Sequence, residues 1–176
     1  KQAKTISNEW GVDHIALPLE CLQKITKNAL MDSSMEISKR KEGEEPNTLV
    51  VGRNGLMARL GAIHAQNLGA GVMYMGVMEV EEANSGYRDC SRHYMDLMEE
   101  ILRLDLDDPD FSIKTPLVKM TKKETMELGY RLGVLEFLLE ETISCYKGEP
   151  YLGCKDCPAC ELRNEGIKQF VLEQAD

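Results

Sequence analysis

Three cysteines at two-residue gaps, Cys154, Cys157 and Cys160, constrain what this chain can fold into more than any other feature of its sequence. Such gaps let successive sulfurs turn toward one point, and Gly148, Pro150, Gly153 and Pro158 supply the bends around them. Cys145 stands ahead of them across the turn-rich stretch Tyr146–Gly153 and is the natural fourth member. Four thiolates at about 2.3 Å from one ion make the closed tetrahedral site of structural zinc. An iron–sulfur cluster uses similar spacings, and other redox chemistry is a further reading. Disulfides are disfavoured, because Lys1–Trp10 is polar and has no apolar signal segment. A closed site leaves no open coordination position, so the metal is expected to fold the C-terminal region rather than to catalyse. Cys21, on an apolar stretch, is expected to be a small buried hydrophobe, whereas Cys90 lies in a polar turn.

Charge narrows the partners. The 176 residues carry 30 Asp and Glu against 21 Lys and Arg, a formal net charge of −9. A duplex binder presents a basic face, because phosphate neutralisation supplies most of its non-specific affinity. The densest basic run here, Ser38-Lys39-Arg40-Lys41, meets Glu42, Glu44 and Glu45 at once and reads as a solvated loop. No nucleic-acid partner is expected, although a small anion held by a few donors is compatible. No window approaches the ~18–20 consecutive apolar residues of a bilayer helix, so no membrane partner is expected either. A cytoplasmic location follows as an expectation. The chain opens as Lys1-Gln2-Ala3-Lys4, the middle of a helix with no capping residue ahead of it, so sequence preceding Lys1 is expected in the full protein.

Along the chain, Val12–Leu19 reads as a strand ending at its proline, Glu20–Leu30 as a short helix, and Met31–Thr48 as a long mobile loop. From Asn54, a plausible N-cap, the pattern is helical, with Leu56, Met57, Leu60, Ile63 and Leu68 on one side. Val72–Val77 is a continuous apolar run, as in a parallel strand buried on both faces. A second helix places Tyr94, Leu97, Met98, Ile101 and Leu102 on one stripe. Phe111–Thr115 alternates like a strand, and Thr121-Lys122-Lys123-Glu124 is a capping box that opens a helix toward Gly133. Strands and helices in alternation argue for an α/β sheet.

Ligands of open α/β sheets bind outside the carboxyl ends of the strands. Two loops are expected there. In Pro46–Asn54, the Gly52-Arg53-Asn54 run opens a helix and could hold an anion through free amides, the helix dipole and a guanidinium; equally, Asn54 is only a cap and Arg53 faces solvent. In Glu79–Cys90, Asp89 could accept the donor edge of a purine-like base, or merely cap the following helix. His14, His64 and His93 show no pairing that marks a catalytic base.

The runs Asn47-Thr48, Gly52-Arg53-Asn54, Ser85-Gly86-Tyr87 with Asp89-Cys90, Thr115-Pro116-Leu117, Ser144-Cys145-Tyr146, and Gly153-Cys154 through Cys157, Cys160 and Leu162-Arg163 occur in this order. Together they resemble the 7-cyano-7-deazaguanine synthase (QueC) family, from about Lys1 to Phe170. The resemblance implies a Rossmann-like, parallel-sheet α/β fold of the PP-loop adenine-nucleotide α-hydrolase type over residues 1–135, with residues 136–176 as a four-cysteine zinc lobe packed on it. It implies an ATP-dependent carbon–nitrogen ligase that converts 7-carboxy-7-deazaguanine and ammonia to the 7-cyano base through an adenylated carboxylate and an amide. ATP with Mg2+ would be co-substrate, Zn2+ structural, and the assembly a homodimer. Gly52, Arg53 and Asn54 would line the nucleotide or carboxylate side. Ser85, Gly86, Tyr87 and Asp89 would form the deazaguanine pocket, and Cys145, Cys154, Cys157 and Cys160 would hold zinc.

The sequence departs from the family pattern in places. The Ser-Gly-Gly-x-Asp-Ser phosphate loop would lie upstream of Lys1, with the first strands of the sheet. Val51 and Arg88 each stand where the family usually has proline, and the stretch from Gly76 to Ser85 is about two residues longer. These loops flank the expected base pocket, so a relative that attaches a deazaguanine to a partner protein in phage defence is the enzymatic alternative. A zinc-stabilised binding module without catalysis is the alternative of another class. A nucleic-acid-binding zinc ribbon is opposed by Glu141, Glu149, Asp156 and Glu161 around the cysteines.

Overall fold

The computed structural model describes residues 1–32, 34–38, 44–79 and 86–174. Ser85 and the basic run Lys39-Arg40-Lys41 lie outside these residues. By mutual contact the chain divides into two units, residues 49–121 and residues 1–48 with 122–176.

Within 49–121, α3 (Arg53–Asn67), β1 (Val72–Tyr74), a 3-10 turn (Arg88–Cys90), α4 (Arg92–Leu106) and β2 (Ser112–Lys114) follow one another. The strands pair in parallel, Val72 opposite Ser112 and Tyr74 opposite Lys114, and α4 is the crossover that a parallel pair requires. The alternation expected of an α/β chain is present, with strands shorter than the apolar runs that suggested them.

The inner face of α3 is not the expected stripe. Ala58, Ala62 and Ala65 are buried, while Met57, Ile63 and Leu68 are exposed. Small residues win because the neighbours come close. A Cβ on Gly55 would lie 2.3 Å from Tyr94 Oη, and one on Gly61 2.6 Å from Met73 Sδ. The alanines pack with Met95, Met98 and Leu102 of α4 and with Phe111 and Ile113 into one core. The N-cap also differs from expectation. Gly52, at φ 67°, occupies it, and Asn54 lies inside the helix; glycine takes that left-handed conformation without the strain a Cβ brings.

Side chains close the outer edge of β2. The Ile113 amide donates to Glu99 Oε2 at 2.6 Å, and its carbonyl accepts from Arg92 Nη1 at 2.8 Å. Arg103 pairs with Glu99 at 2.7 Å and donates Nε to the Phe111 carbonyl at 2.9 Å. β1 is different: Val72 is exposed and Tyr74 is 72% exposed, so the run expected to be buried on both faces lacks such cover among the described residues.

The other unit contains α1 (Gln2–Glu9), α2 (Glu20–Ile25), α5 (Lys122–Arg131), α6 (Leu135–Glu141) and α7 (Pro158–Gln174). The sequence-based boundary after residue 135 falls at the first turn of α6, and contact groups the cysteines with α5 and with residues 1–48. α5 and α7 run close together, because Gly166 leaves room where a Cβ would meet Lys122 Cβ at 2.5 Å. Trp10 stacks on Phe137 at 5.6 Å, tying the end of α1 to α6. The expected strand over Val12–Leu19 is irregular and joins no ladder among the described residues. A strand needs a neighbour to satisfy its backbone, and here Val12, Ile15 and Leu17 are exposed. Cys21 is exposed too, not buried as its apolar context suggested. Among the described residues no helix is long and apolar enough to cross a membrane.

Replacing Glu99 with Ala strands the Ile113 amide, and a loss of about 1–3 kcal/mol of unfolding free energy is expected. Glu99→Gln keeps an acceptor and should lose less, a difference that urea denaturation of the two variants measures.

Candidate functional site

Two regions carry the polar chemistry, each inside one unit. In the first, the sulfurs of Cys145, Cys154, Cys157 and Cys160 all lie within 4.8 Å of one another. Those of Cys157 and Cys160 are 3.4 Å apart, and those of Cys154 and Cys160 3.9 Å. Ligand bonds of 2.3 Å around a tetrahedral ion separate sulfurs by about 3.8 Å, so the four are spaced for one metal. All four are free thiols.

The backbone shapes this cage. The Cys157 amide donates to Cys154 Sγ at 3.3 Å. At Gly153, φ 63°, a Cβ would lie 2.4 Å from Cys160 Sγ and 3.0 Å from Cys145 Cβ. Tyr151 and Lys155 on either side also have left-handed φ of 55° and 59°, at a cost of about 1–2 kcal/mol each. Buried Arg163 holds the turn, donating Nη1 to the Tyr151 carbonyl at 2.6 Å and Nη2 to the Leu139 carbonyl at 2.9 Å. Burial lowers its guanidinium pKa, and the Cys160 sulfur acts in the opposite sense.

Burial pushes the Cys145 thiol up, but the amides of Cys154, Glu149 and Lys147 more than offset this and bring it down to about 6. Cys160, buried beside the Cys157 and Cys145 thiols, is pushed up to about 12. The cluster thus favours ionisation at the Cys145 sulfur and opposes it at Cys160. The Lys147 ammonium, whose pKa is raised chiefly by the Cys154 sulfur, lies 3.7 Å from Asp156 and adds positive charge beside the cage. This all-sulfur donor set fits a thiophilic ion of the zinc class.

The second region is the amino end of α3. Asp89, 6% exposed, accepts the Asn54 amide on Oδ2 at 2.9 Å. In return Asn54 Nδ2 donates to the Asp89 carbonyl at 3.4 Å and to Cys90 Sγ at 3.3 Å. The Arg53 amide donates to the Val50 carbonyl at 3.1 Å, and the Leu56 amide to the Gly52 carbonyl at 3.0 Å. These first-turn donors are spent internally, and Asp89 already complements the dipole. The charged donor left to meet an external anion here is the Arg53 side chain.

Asp89 thus caps a helix, but α3 rather than the one that follows it. α4 is capped by Ser91, whose Oγ accepts the Tyr94 amide at 3.1 Å, and by Glu79, which accepts the Arg92 amide at 2.5 Å. Burial raises the pKa of the Cys90 thiol, with the charge of Asp89 adding to it, so Cys90 is not poised as a thiolate.

The two loops singled out from sequence therefore meet, through Asn54 and Asp89, with half-buried Gly86 and Tyr87 just ahead. Sequence reasoning named Glu79 and Tyr94 without their contacts at the start of α4, gave Arg163 no role, and overlooked Ile37, which packs on the cysteine cluster. An arginine one helical turn after a cysteine is a usable signal for Arg163. Nothing local marks Ile37. His14 and His93 are exposed, as expected for surface histidines.

A family model described as Queuosine biosynthesis protein QueC matches residues 1–171. The chain belongs to the QueC family. The match spans the α3 junction and all four cysteines, so both regions belong to the framework of a queuosine biosynthesis family. Gly153→Ala in this QueC-family chain is expected to abolish stable metal retention, measured as metal content by mass spectrometry after gel filtration. Because the Cys145 pKa is depressed, its thiolate persists above about 6 and is lost as pH falls through that value. Zinc affinity should therefore drop steeply on acidification, since protons and metal compete for the same sulfurs; chelator competition on either side of that pH measures it.

Proposed function

We propose that the protein is an ATP-dependent ligase that converts 7-carboxy-7-deazaguanine and ammonia to 7-cyano-7-deazaguanine. The observation that carries this reading is the family match over residues 1–171, which includes both meeting loops and the cysteine array. A carboxylate resists attack by ammonia, and adenylation supplies the leaving group it lacks. Attack of ammonia on the acyl adenylate releases AMP and forms the amide. A second adenylation, on the amide oxygen, lets AMP depart with loss of protons, leaving the nitrile. Stabilising phosphoryl and tetrahedral charge falls to fixed donors and Mg2+.

In this reading the fold is of the PP-loop type. Arg53 meets the anionic side of the reactants, because its own amide and that of Asn54 are already bonded. Gly86 and Tyr87, with Ser85, receive the deazapurine, and Asp89 sets the pocket wall through its bond to Asn54. Cys145, Cys154, Cys157 and Cys160 hold zinc, which supplies a structural cross-link and no reaction step.

A second reading has specific support. Val51 and Arg88, the two departures from proline, are both exposed and flank the Asn54–Asp89 junction. An exposed rim there, apolar at Val51 and charged at Arg88, suits a protein acceptor, with the deazaguanine acyl group passed to an amine of a partner chain in place of ammonia.

The full-length protein, with whatever precedes Lys1, is incubated with ATP, Mg2+, ammonium and 7-carboxy-7-deazaguanine. Free 7-cyano-7-deazaguanine with AMP is the expected outcome, and Arg53→Ala should lower kcat/KM by about a hundredfold. AMP without free nitrile, together with a mass gain on a partner protein, selects the conjugating reading. No AMP under any condition leaves a zinc-stabilised binding module.

A further inference from the structure

The cysteine cluster holds more than the C-terminal chain. Half-buried Ile37, more than a hundred residues away in sequence, packs against Cys145, Cys157 and Cys160 together with Tyr146 and Ala159. Its place is set by a single carboxamide. Asn47 Nδ2 donates to the Glu36 carbonyl at 2.8 Å, and Asn47 Oδ1 accepts the Ser38 amide at 3.3 Å, so one side chain grips both neighbours of Ile37. The Asn47 carbonyl in turn accepts the Ala29 amide at 2.8 Å. Beside it, buried Asn28 accepts the amides of Leu30 and Met31 on Oδ1 at 3.0 and 3.2 Å. All these residues lie in one unit.

We propose that Ile37 and Asn47 are positioning residues that fasten residues 34–38 and 44–48 to the four-cysteine metal site. An apolar side chain over thiolates excludes water and competing ligands, and so slows metal loss. The coupling is reciprocal. If Ile37 protects the site, the assembled site also orders Ile37 and its neighbours. The metal then acts on a segment from the first third of the chain, which runs on in sequence to Gly52 and Arg53.

Two measurements on the full-length, zinc-loaded protein test this, neither using ATP or a deazapurine, so failure here leaves the proposed reaction standing. In the first, zinc transfer to 4-(2-pyridylazo)resorcinol is timed for the parent, Ile37→Ala, Ile37→Val and Asn47→Ala. Ile37→Ala and Asn47→Ala are expected to lose zinc roughly tenfold faster, and Ile37→Val at close to the parent rate. In the second, hydrogen exchange is followed in the parent before and after zinc removal. Protection of the Ala29 and Ser38 amides should disappear with the metal while α4 keeps its own. Equal zinc-loss rates across the variants, or protection at Ala29 and Ser38 that survives loss of the metal, overturns the proposal. So does a chain that binds no zinc at its cysteines.

Discussion

Four sulfurs within 4.8 Å of one another can all be thiolates only under two conditions. A cation must offset the repulsion of the thiolates, and the backbone must be bent to bring them there. Much of residues 1–48 and 122–176 answers to that demand. Gly153 has no Cβ because Cys160 Sγ occupies its space. Tyr151 and Lys155 accept left-handed backbone, and Arg163 is buried so that its guanidinium can hold the Tyr151 carbonyl. α7 begins among the cysteines and runs back along α5, where Gly166 lets it approach Lys122. The cysteine cluster is thus spaced to act as a cross-link once a metal is bound, and its strained turns are stabilised by the packing they permit.

Residues 49–121 solve a different problem with the same economy. A two-stranded parallel sheet leaves edges, and two helices leave amino-terminal amides unmet. Side chains fill these roles: Asp89 for α3, Ser91 and Glu79 for α4, Glu99 and Arg92 for β2. One chemical consequence is that the amino end of α3, on paper an anion site, is already neutralised by a carboxylate of the same chain. A ligand anion at this place meets a guanidinium on a rigid support rather than a row of free amides.

The legible part of this molecule was local. Gaps of two residues between cysteines announce convergence, and the capping box at Thr121–Glu124 placed the start of α5 at Lys122. The stripe on α3 misled because Leu, Ile and Met mark a face only when something covers it. On this helix closeness of approach decided, and alanine and glycine allow it. Val12–Leu19 misled for a related reason, since strand character depends on a neighbour that is not local in sequence; Val72–Val77 does start a parallel strand, but one shorter and less covered than its apolar run suggested.

By itself, the sequence determined which four cysteines converge, the helix–strand alternation, and that a Gly-Arg-Asn loop and a Gly-Tyr-x-Asp loop are the polar segments to examine. The first two rest on spacing along one stretch of chain, and the third on the rule that ligands of α/β sheets sit where strands end. Only the tertiary structure decided that Asp89 caps α3 and not α4, that Asn47 seats Ile37 on the cysteine cluster, and that Arg163 is buried as a brace. The physical reason is common to all three. A hydrogen bond or contact between distant residues is selected by three-dimensional proximity and burial, which leave no period in the sequence to read.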